Sequence, residues 1–212
     1  MRKHLLPMLV VSLLASPMGA QSYTSAGAFF GAAGTPSYTE TFETVPFAKD
    51  AAFASFIIAG TTYTGQAGTN VFISSPGYIN YGAGLNPTTS SILTANGDEN
   101  FLIQFLTGQY AVGFDVYYNG LGPATSSFFN GATLLGSIAY NGSAVLGFNG
   151  FIASLGAPVT SVQFVSTLGG QLNTGLDNIA LVSVTATPEP ATLTLFATGL
   201  MGLTFLRRRR RT

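Results

Sequence analysis

Apolar and polar residues alternate with a period of two along much of the chain between residues 21 and 187. The segment 110–118 shows this most clearly, because Val112, Phe114 and Val116 alternate with Gly113 and Asp115. Successive side chains of a strand point to opposite faces of a sheet, so this pattern predicts a strand with one apolar face. Further β-rich segments are 101–106, 161–166 and 179–184.

Turn signals separate these segments. Asn-Gly dipeptides, which favour tight type I′ turns, begin at Asn96, Asn119, Asn130, Asn141 and Asn149. Three of them follow one another at intervals of 11 residues, the length of a strand and its turn, which favours a meander over a solenoid. Short strands between turns predict an all-β, antiparallel β-sandwich.

Helical patterns are scarce in the same region. The glycine-rich segments 27–34 and 82–84 lack the strand-then-helix context of a phosphate loop, so we interpret both as loops. The segment 48–59 has a composition suited to a helix, but its apolar residues before Gly60 fit a strand equally well. We therefore expect one β-sandwich domain over residues 21–187, a length that can bury a sizeable core.

The N-terminus has the charged, apolar and small segments of a secretory signal peptide. Arg2 and Lys3 precede an apolar run over residues 5–14, and small and turn-forming residues follow as far as Ala20. Residues 1–20 are therefore predicted to form a signal helix that is removed on export. Met18 is larger than the residue preferred three positions before cleavage, so the cut can fall a few residues to either side. A permanent anchor is the alternative, although the apolar run is about half the length of a membrane span.

The C-terminus carries three features in a fixed order. Pro188, Glu189 and Pro190 lead into residues 191–206, which contain no charge and predict a short transmembrane helix. Five arginines follow the apolar run: Arg207, Arg208, Arg209, Arg210 and Arg211. Consecutive arginines resist translocation, so this end is expected to stay in the cytoplasm while the body of the protein lies outside the inner membrane.

Together the motif, the apolar run and the arginine cluster of residues 188–212 resemble the PEP-CTERM sorting signal. This resemblance implies a Gram-negative bacterium and an exosortase, a membrane-embedded cysteine protease, as the processing partner. It also implies a transient membrane anchor, a final location at the cell surface or outside the cell, and an association with exopolysaccharide and biofilm. A plain tail anchor is the alternative interpretation.

The residue types of the body exclude several kinds of chemistry. Residues 21–187 contain one basic residue, Lys49, and seven acidic residues, which gives this segment a net charge of −6. A segment with this charge cannot neutralise a row of phosphates, so nucleic acid is excluded as a partner. The chain has no cysteine, and its one histidine, His4, leaves with the signal peptide. Disulfides, thiol catalysis, Cys/His zinc sites and a Ser-His-Asp triad are therefore excluded.

Carboxylate chemistry remains open, because two acids are sufficient for glycoside hydrolysis. Asp98 and Glu99 are the obvious pair, but they follow Asn96-Gly97 and fit a polar hairpin turn. Lys49 and Asp50 are interpreted as a solvated pair.

A second resemblance involves the two ends of the body. Thr41-Phe42-Glu43 and Leu176-Asp177-Asn178-Ile179 are similar to the opening and closing elements of jelly-roll sandwiches of the carbohydrate-binding-module kind. This resemblance implies a jelly-roll-like sandwich whose first and last strands lie close together. It also implies a structural calcium ion bound by Glu43 and Asp177, since carboxylate oxygens suit calcium. The alternative is that Asp177-Asn178 forms a turn before the last strand. We expect no other cofactor.

Two classes of function are compatible with these features. The first is a non-catalytic cell-surface or matrix protein that binds exopolysaccharide through exposed aromatic side chains. Tyr78, Tyr81, Tyr117 and Tyr118 are the candidate sugar-binding residues, although tyrosines of a sandwich can equally be core residues. The second is a carboxylate-dependent glycoside hydrolase that acts on extracellular polysaccharide.

Overall fold

The computed structural model describes residues 19–78, 89–96, 100–118, 123–140, 145–154, 156–166 and 174–183. These residues form mostly antiparallel strands, as the sequence predicts, with one short helix among them. The strands are β1 (Gln21–Tyr23), β2 (Tyr38–Glu40), β3 (Ser55–Ile58), β4 (Thr61–Gly65), β5 (Val71–Ser74), β6 (Ile92–Ala95), β7 (Phe101–Tyr118), β8 (Ala124–Asn130), β9 (Thr133–Tyr140), β10 (Val145–Ile152), β11 (Val159–Ser166) and β12 (Thr174–Ser183), and the helix is α1 (Ala26–Ala33).

The long strand β7 belongs to two sheets. Its first half pairs with β4 and β11, and its second half pairs with β10 and β12. The first sheet has the strand order β3-β4-β7-β11-β8-β9, and the second has the order β5-β6-β12-β7-β10-β1, with β2 beside the end of β12. The sequence predicts two strands here, over 101–106 and 110–118. The backbone instead continues through Gly108, where a Cβ would lie only 2.7 Å from the ring of Pro158.

The two sheets face each other across an aromatic core. Phe128 of β8 stacks on Phe151 of β10 with ring centroids 4.8 Å apart, and Phe114 of β7 lies 6.2 Å from Phe128. All three side chains are fully or almost fully buried. Burial of aromatic side chains from facing sheets is the arrangement of a β-sandwich, since it removes the largest apolar surfaces from water.

The helix α1 lies on the outer face of the second sheet, where we expected a loop. Ser25 caps its first turn by accepting a hydrogen bond from the Ala28 N–H at 3.5 Å, and Gly34 ends it with a φ of 86°. Phe29 is completely buried and packs against Phe148 of β10 at 5.3 Å. The loop interpretation of 27–34 was wrong because these caps and one buried aromatic residue are sufficient to fix two helical turns.

The Asn-Gly dipeptides do not all form turns. Asn130-Gly131 does join β8 to β9, but Asn130 is still a strand residue paired with Thr133. Gly131, with a φ of 56°, then occupies the first central position, which fits a type II′ turn rather than the predicted type I′. Asn149-Gly150 lies inside β10, so a turn there was a wrong prediction. The dipeptides at 119 and 141 lie outside the described residues.

Two ambiguous segments are now assigned. Within 48–59 the residues Ser55–Ile58 form a strand, so the helical alternative was wrong. The last strand begins at Thr174, ahead of the predicted start at residue 179, and contains Asp177 and Asn178. The turn interpretation of this pair was wrong, because the register with β7 shifts between Asp177 and Ala180 and Asn178 has a φ of 49°, as expected for a bulge.

Within the described part of the chain, no helix is long and apolar enough to cross a membrane. The predicted signal peptide lies almost entirely outside the described residues, as do residues 191–206.

The close contact between α1 and the second sheet predicts that one added methyl group in β10 destabilises the fold. A Cβ at Gly150 would lie 2.4 Å from the Phe29 ring, whereas a Cβ at Gly147 of the same strand would meet nothing within 4 Å. We expect Gly150→Ala to destabilise the fold by about 1–3 kcal/mol through overpacking, and Gly147→Ala to leave stability nearly unchanged. Thermal or urea unfolding of the two variants tests this, and equal stabilities would contradict the packing.

Candidate functional site

A cleft of about 570 Å³ opens on the outer face of the second sheet, beside the N-terminal end of α1. Four neighbouring strands, β6, β12, β7 and β10, contribute to its floor. Its polar and aromatic lining includes Ser25, Ser90, Asp115, Tyr117, Asp177 and Asn178.

The position of this cleft follows from how far α1 extends. The outward residues of the second half of β7 are Ala111, Gly113, Asp115 and Tyr117. The helix covers the first two of them, since Phe29 packs with Ala111 and a Cβ at Gly113 would lie 2.8 Å from its ring. Asp115 and Tyr117 lie beyond the helix and therefore face the cleft.

Two carboxylates face each other across neighbouring strands in the cleft. Asp115 of β7 is directly opposite Asp177 of β12 in the antiparallel register. Asp115 is exposed and accepts a hydrogen bond from the Asn178 side-chain amide at 2.7 Å, whereas Asp177 is only 8% exposed. Like charges directly opposite one another destabilise a sheet, so this pair creates a site that favours a proton, a cation or hydrogen-bond donors.

The pKa of the Asp177 carboxyl is raised by its surroundings. Burial raises the pKa of its carboxyl above the usual range, and the charges of Asp115 and Glu43 act in the same direction. Hydrogen bonds from the Ser90 hydroxyl at 2.6 Å and from the Asn178 N–H at 2.7 Å oppose that rise in pKa. A raised pKa in the folded state stabilises the fold at low pH, and this contribution is lost as the pH rises through the folded pKa. Ionisation of Asp177 therefore lowers the free energy of unfolding at neutral pH.

Glu43 has a different environment from Asp177. Its carboxylate accepts hydrogen bonds from the Ser91 N–H at 2.9 Å and the Ser91 hydroxyl at 3.2 Å, and it lies 3.6 Å from the Lys49 ammonium. The Ser91 N–H is the main reason why the pKa of Glu43 is lowered, with a smaller contribution from Lys49. The interpretation of Lys49 and Asp50 as a solvated pair was wrong, because Lys49 pairs with Glu43 while Asp50 accepts a hydrogen bond from the Ser75 N–H.

The structure thus brings Glu43 and Asp177 to consecutive residues, Ser91 and Ser90, immediately before β6. Sequence reasoning missed Asp115 as a third acid of this region. The signal was present in the alternation of 110–118, which places Asp115 on the face opposite the core. Only the strand pairing could show that Asp177 lies directly across from it. No group of three or more His, Asp or Glu side chains arranged for a metal ion occurs within the described ranges.

Of the four candidate tyrosines, the structure places Tyr117 in the cleft. The Tyr78 ring packs against Phe72 with centroids 5.8 Å apart. Tyr118 pairs through its backbone with Val145 and Thr174, and its side chain is not described. Tyr81, like the acidic pair Asp98 and Glu99, lies outside the described residues.

The tail of the chain carries a known sorting motif. Residues 186–211 match the PEP-CTERM protein-sorting motif. The match includes Pro188, Glu189 and Pro190 together with the arginine cluster 207–211, and it confirms the resemblance that these residues show. It concerns the tail alone, which lies outside the described residues.

Two solved structures are weakly similar to the body. One contains the CBM22-1 and GH10 modules of the endo-1,4-β-D-xylanase 10B of Clostridium thermocellum with xylohexaose, at 10% identity and a TM-score of 0.40. That match covers 72% of this chain but only 29% of the xylanase chain. The other is a mutant family 29 carbohydrate-binding module, at 12% identity and a TM-score of 0.31, covering 72% of this chain and 95% of the module. No curated protein sequence matches the chain.

Binding of a structural calcium ion by Glu43 and Asp177 remains a prediction, and Lys49 would compete with calcium for the Glu43 carboxylate. Calcium bound between Glu43 and Asp177 would replace the Lys49 contact and neutralise the repulsion at Asp177. We expect excess calcium to raise the melting temperature at neutral pH, by an amount equivalent to about 2.7 kcal/mol at one hundred times Kd. Asp177→Asn should lose most of this rise. Identical melting in calcium and in chelator would show that no such site exists.

Proposed function

We propose that this protein is exported across the inner membrane of a Gram-negative bacterium, sorted through its PEP-CTERM tail, and released or displayed at the cell surface as a non-catalytic polysaccharide-binding protein. The observation that carries the sorting part is the match of residues 186–211 to the PEP-CTERM motif. In this proposal an exosortase-type protease processes the tail, and residues 191–206 anchor the protein in the membrane until then.

The N-terminal end supports export. The predicted signal peptide ends at Ala20, and β1 begins at Gln21, where it pairs with Ile152 of β10. Cleavage after Ala20 therefore leaves every strand of the described structure intact, whereas cleavage a few residues later would remove β1.

The cleft supports polysaccharide binding. Tyr117 offers a half-buried ring for stacking, and the carboxylates of Asp115 and Asp177 with the Ser90 and Asn178 side chains offer groups that hydrogen-bond sugar hydroxyls. The described residues that line the cleft include no lysine or arginine, so none of them neutralises an acidic sugar. We therefore propose a neutral polysaccharide as the ligand, because uronic acids would be repelled by the two carboxylates.

A hydrolase is the second candidate, and one observation favours it. Asp115 and Asp177 face each other in the cleft, and the raised pKa of Asp177 is what a general acid requires. Under this alternative Asp177 protonates the glycosidic oxygen and Asp115 activates water or attacks the sugar. Release of reducing ends from a bound glycan separates the two candidates, since a binding protein releases none.

Export and processing predict the mass of the mature protein. Protein isolated from the native host should begin near Gln21 and should lack Arg207 to Arg211 after cleavage near Pro188, Glu189 and Pro190. Intact-mass and terminal-peptide mass spectrometry of the secreted fraction measure both ends. Secreted protein that retains the arginine cluster would refute processing.

The polysaccharide proposal predicts a selective loss of binding. Tyr117→Ala should weaken binding to a neutral oligosaccharide roughly tenfold, about 1.4 kcal/mol, because it removes the ring from the cleft. Tyr38→Ala is the matched control, since Tyr38 is an exposed tyrosine on β2 that does not line the cleft. An array of neutral, uronic-acid and amino-sugar oligosaccharides identifies the ligand. Binding that both variants retain, or a preference for uronic acids, would contradict the proposal.

A further inference from the structure

The end of β12 determines how close the body lies to its sorting tail. The strand ends at Ser183, and five peptide steps lead from there to Pro188 of the sorting motif. An extended chain covers at most about 3.3–3.6 Å per residue, so this connection reaches no further than about 18 Å. A connection of this length keeps the end of β12 near the surface that surrounds the tail.

A small group of described residues surrounds the end of β12, and we refer to it as the tail-proximal pole. Ser183 pairs with Gln109, and the Ser37 hydroxyl donates to the Leu181 carbonyl at 2.9 Å and lies 3.0 Å from the Ser183 hydroxyl. The chain reaches Ser37 from the C-terminal end of α1, and the neighbouring loop after β10 is held by a hydrogen bond from Ala153 to Tyr110. The tail-proximal pole consists of Thr35, Pro36, Ser37, Gln109, Ser154 and Ser183.

None of these six residues is charged, and the charged residues of the described chain lie at levels at least four residues of β12 away from Ser183. Glu40 is the closest to the pole along β12, because it pairs with Ile179, four residues before Ser183. Asp177 lies six residues from Ser183, about 20 Å along a strand. Glu43 and Lys49 contact Ser91, and Asp50 accepts a hydrogen bond from the Ser75 N–H. In the antiparallel register Ser91 and Ser75 lie near the level of Asn178, five residues or about 17 Å from Ser183.

This distribution separates the acidic groups from an anionic surface. Lipid headgroups of bacterial inner membranes include anionic phosphates, and a carboxylate held near them is repelled within about a Debye length, about 8 Å at physiological salt. The carboxylates of the cleft lie more than twice that distance from the end of β12. The hydroxyl and proline side chains at the pole can approach headgroups without that repulsion, whereas Gln109 is buried.

We propose that the tail-proximal pole is the surface that rests on the headgroups of the inner membrane while the tail is still attached, with the cleft held clear of the bilayer. This inference depends on the proposed sorting function and adds an orientation to it.

Charges placed at the pole test this orientation in the full-length precursor. We expect Thr35→Asp with Ser154→Asp to slow conversion of precursor to tail-less protein several-fold in a pulse–chase experiment in the native host. Thr44→Asp, an exposed position next to Glu43, is the control and should convert at the unmodified rate. Insertion of ten Gly/Ser residues between Val184 and Thr185 should restore conversion of the pole variant, because the longer connection lifts the body from the surface. Equal melting temperatures of the processed variants exclude a folding defect.

Lysines at the same two positions identify the surface. Thr35→Lys with Ser154→Lys should convert at least as fast as the unmodified precursor if lipid headgroups face the pole. Slowing by lysine and aspartate alike would place the protease itself there and overturn the proposal, as would unchanged conversion of the aspartate variant. Failure of the unmodified precursor to convert would instead refute the sorting function on which the inference rests.

Discussion

The structure depends on β7, because both sheets form hydrogen bonds with this one strand. Its two halves take different neighbours, and the inward residues of the second half, such as Phe114, meet Phe128 and Phe151 from the facing strands. The outward residues of the second half of β7 face away from this core, so they are buried only where another element packs on them. The helix α1 packs on the first of these residues through Phe29. Because α1 has only eight residues, it does not extend over Asp115 and Tyr117. The cleft is therefore a consequence of the mismatch in length between a long strand and a short helix.

The same arrangement explains why the acids lie close together. Strands β6, β12 and β7 are neighbours. Ser90, just before β6, donates a hydrogen bond to Asp177 of β12, which is directly opposite Asp115 of β7. Glu43 reaches this level through the Ser91 N–H, and Lys49 balances its charge. Among the described residues, no basic side chain does the same for Asp177, whose buried carboxylate depends on the Ser90 hydroxyl and the Asn178 N–H. These hydrogen bonds reduce the cost of the charge but do not remove it, which is why the pKa of Asp177 remains raised.

The sequence was sufficient to predict several of the strands and the sorting motif, since both are local patterns. Alternation along 110–118 specifies a strand without knowledge of its partners, and the PEP-CTERM motif is contiguous. Contacts between distant residues could not be predicted in this way. Gly150 looked like a turn residue after Asn149, but it has no side chain because the Phe29 ring occupies that space, more than one hundred residues away in sequence. Asp177 was selected by its motif, whereas its opposition to Asp115 depends on a register that includes a bulge at Asn178.

The buried carboxylate at Asp177 is the strongest reason for placing function at the cleft. A fold selected for stability alone gains nothing from an acid there, because an uncharged residue of the same size would remove both the desolvation and the repulsion from Asp115. Binding reverses this balance. Sugar hydroxyls that donate to Asp115 and Asp177, or a cation between the acids, would stabilise the ionised form and recover the free energy that the empty cleft loses. The cost to the free protein and the affinity for a ligand therefore have the same physical origin.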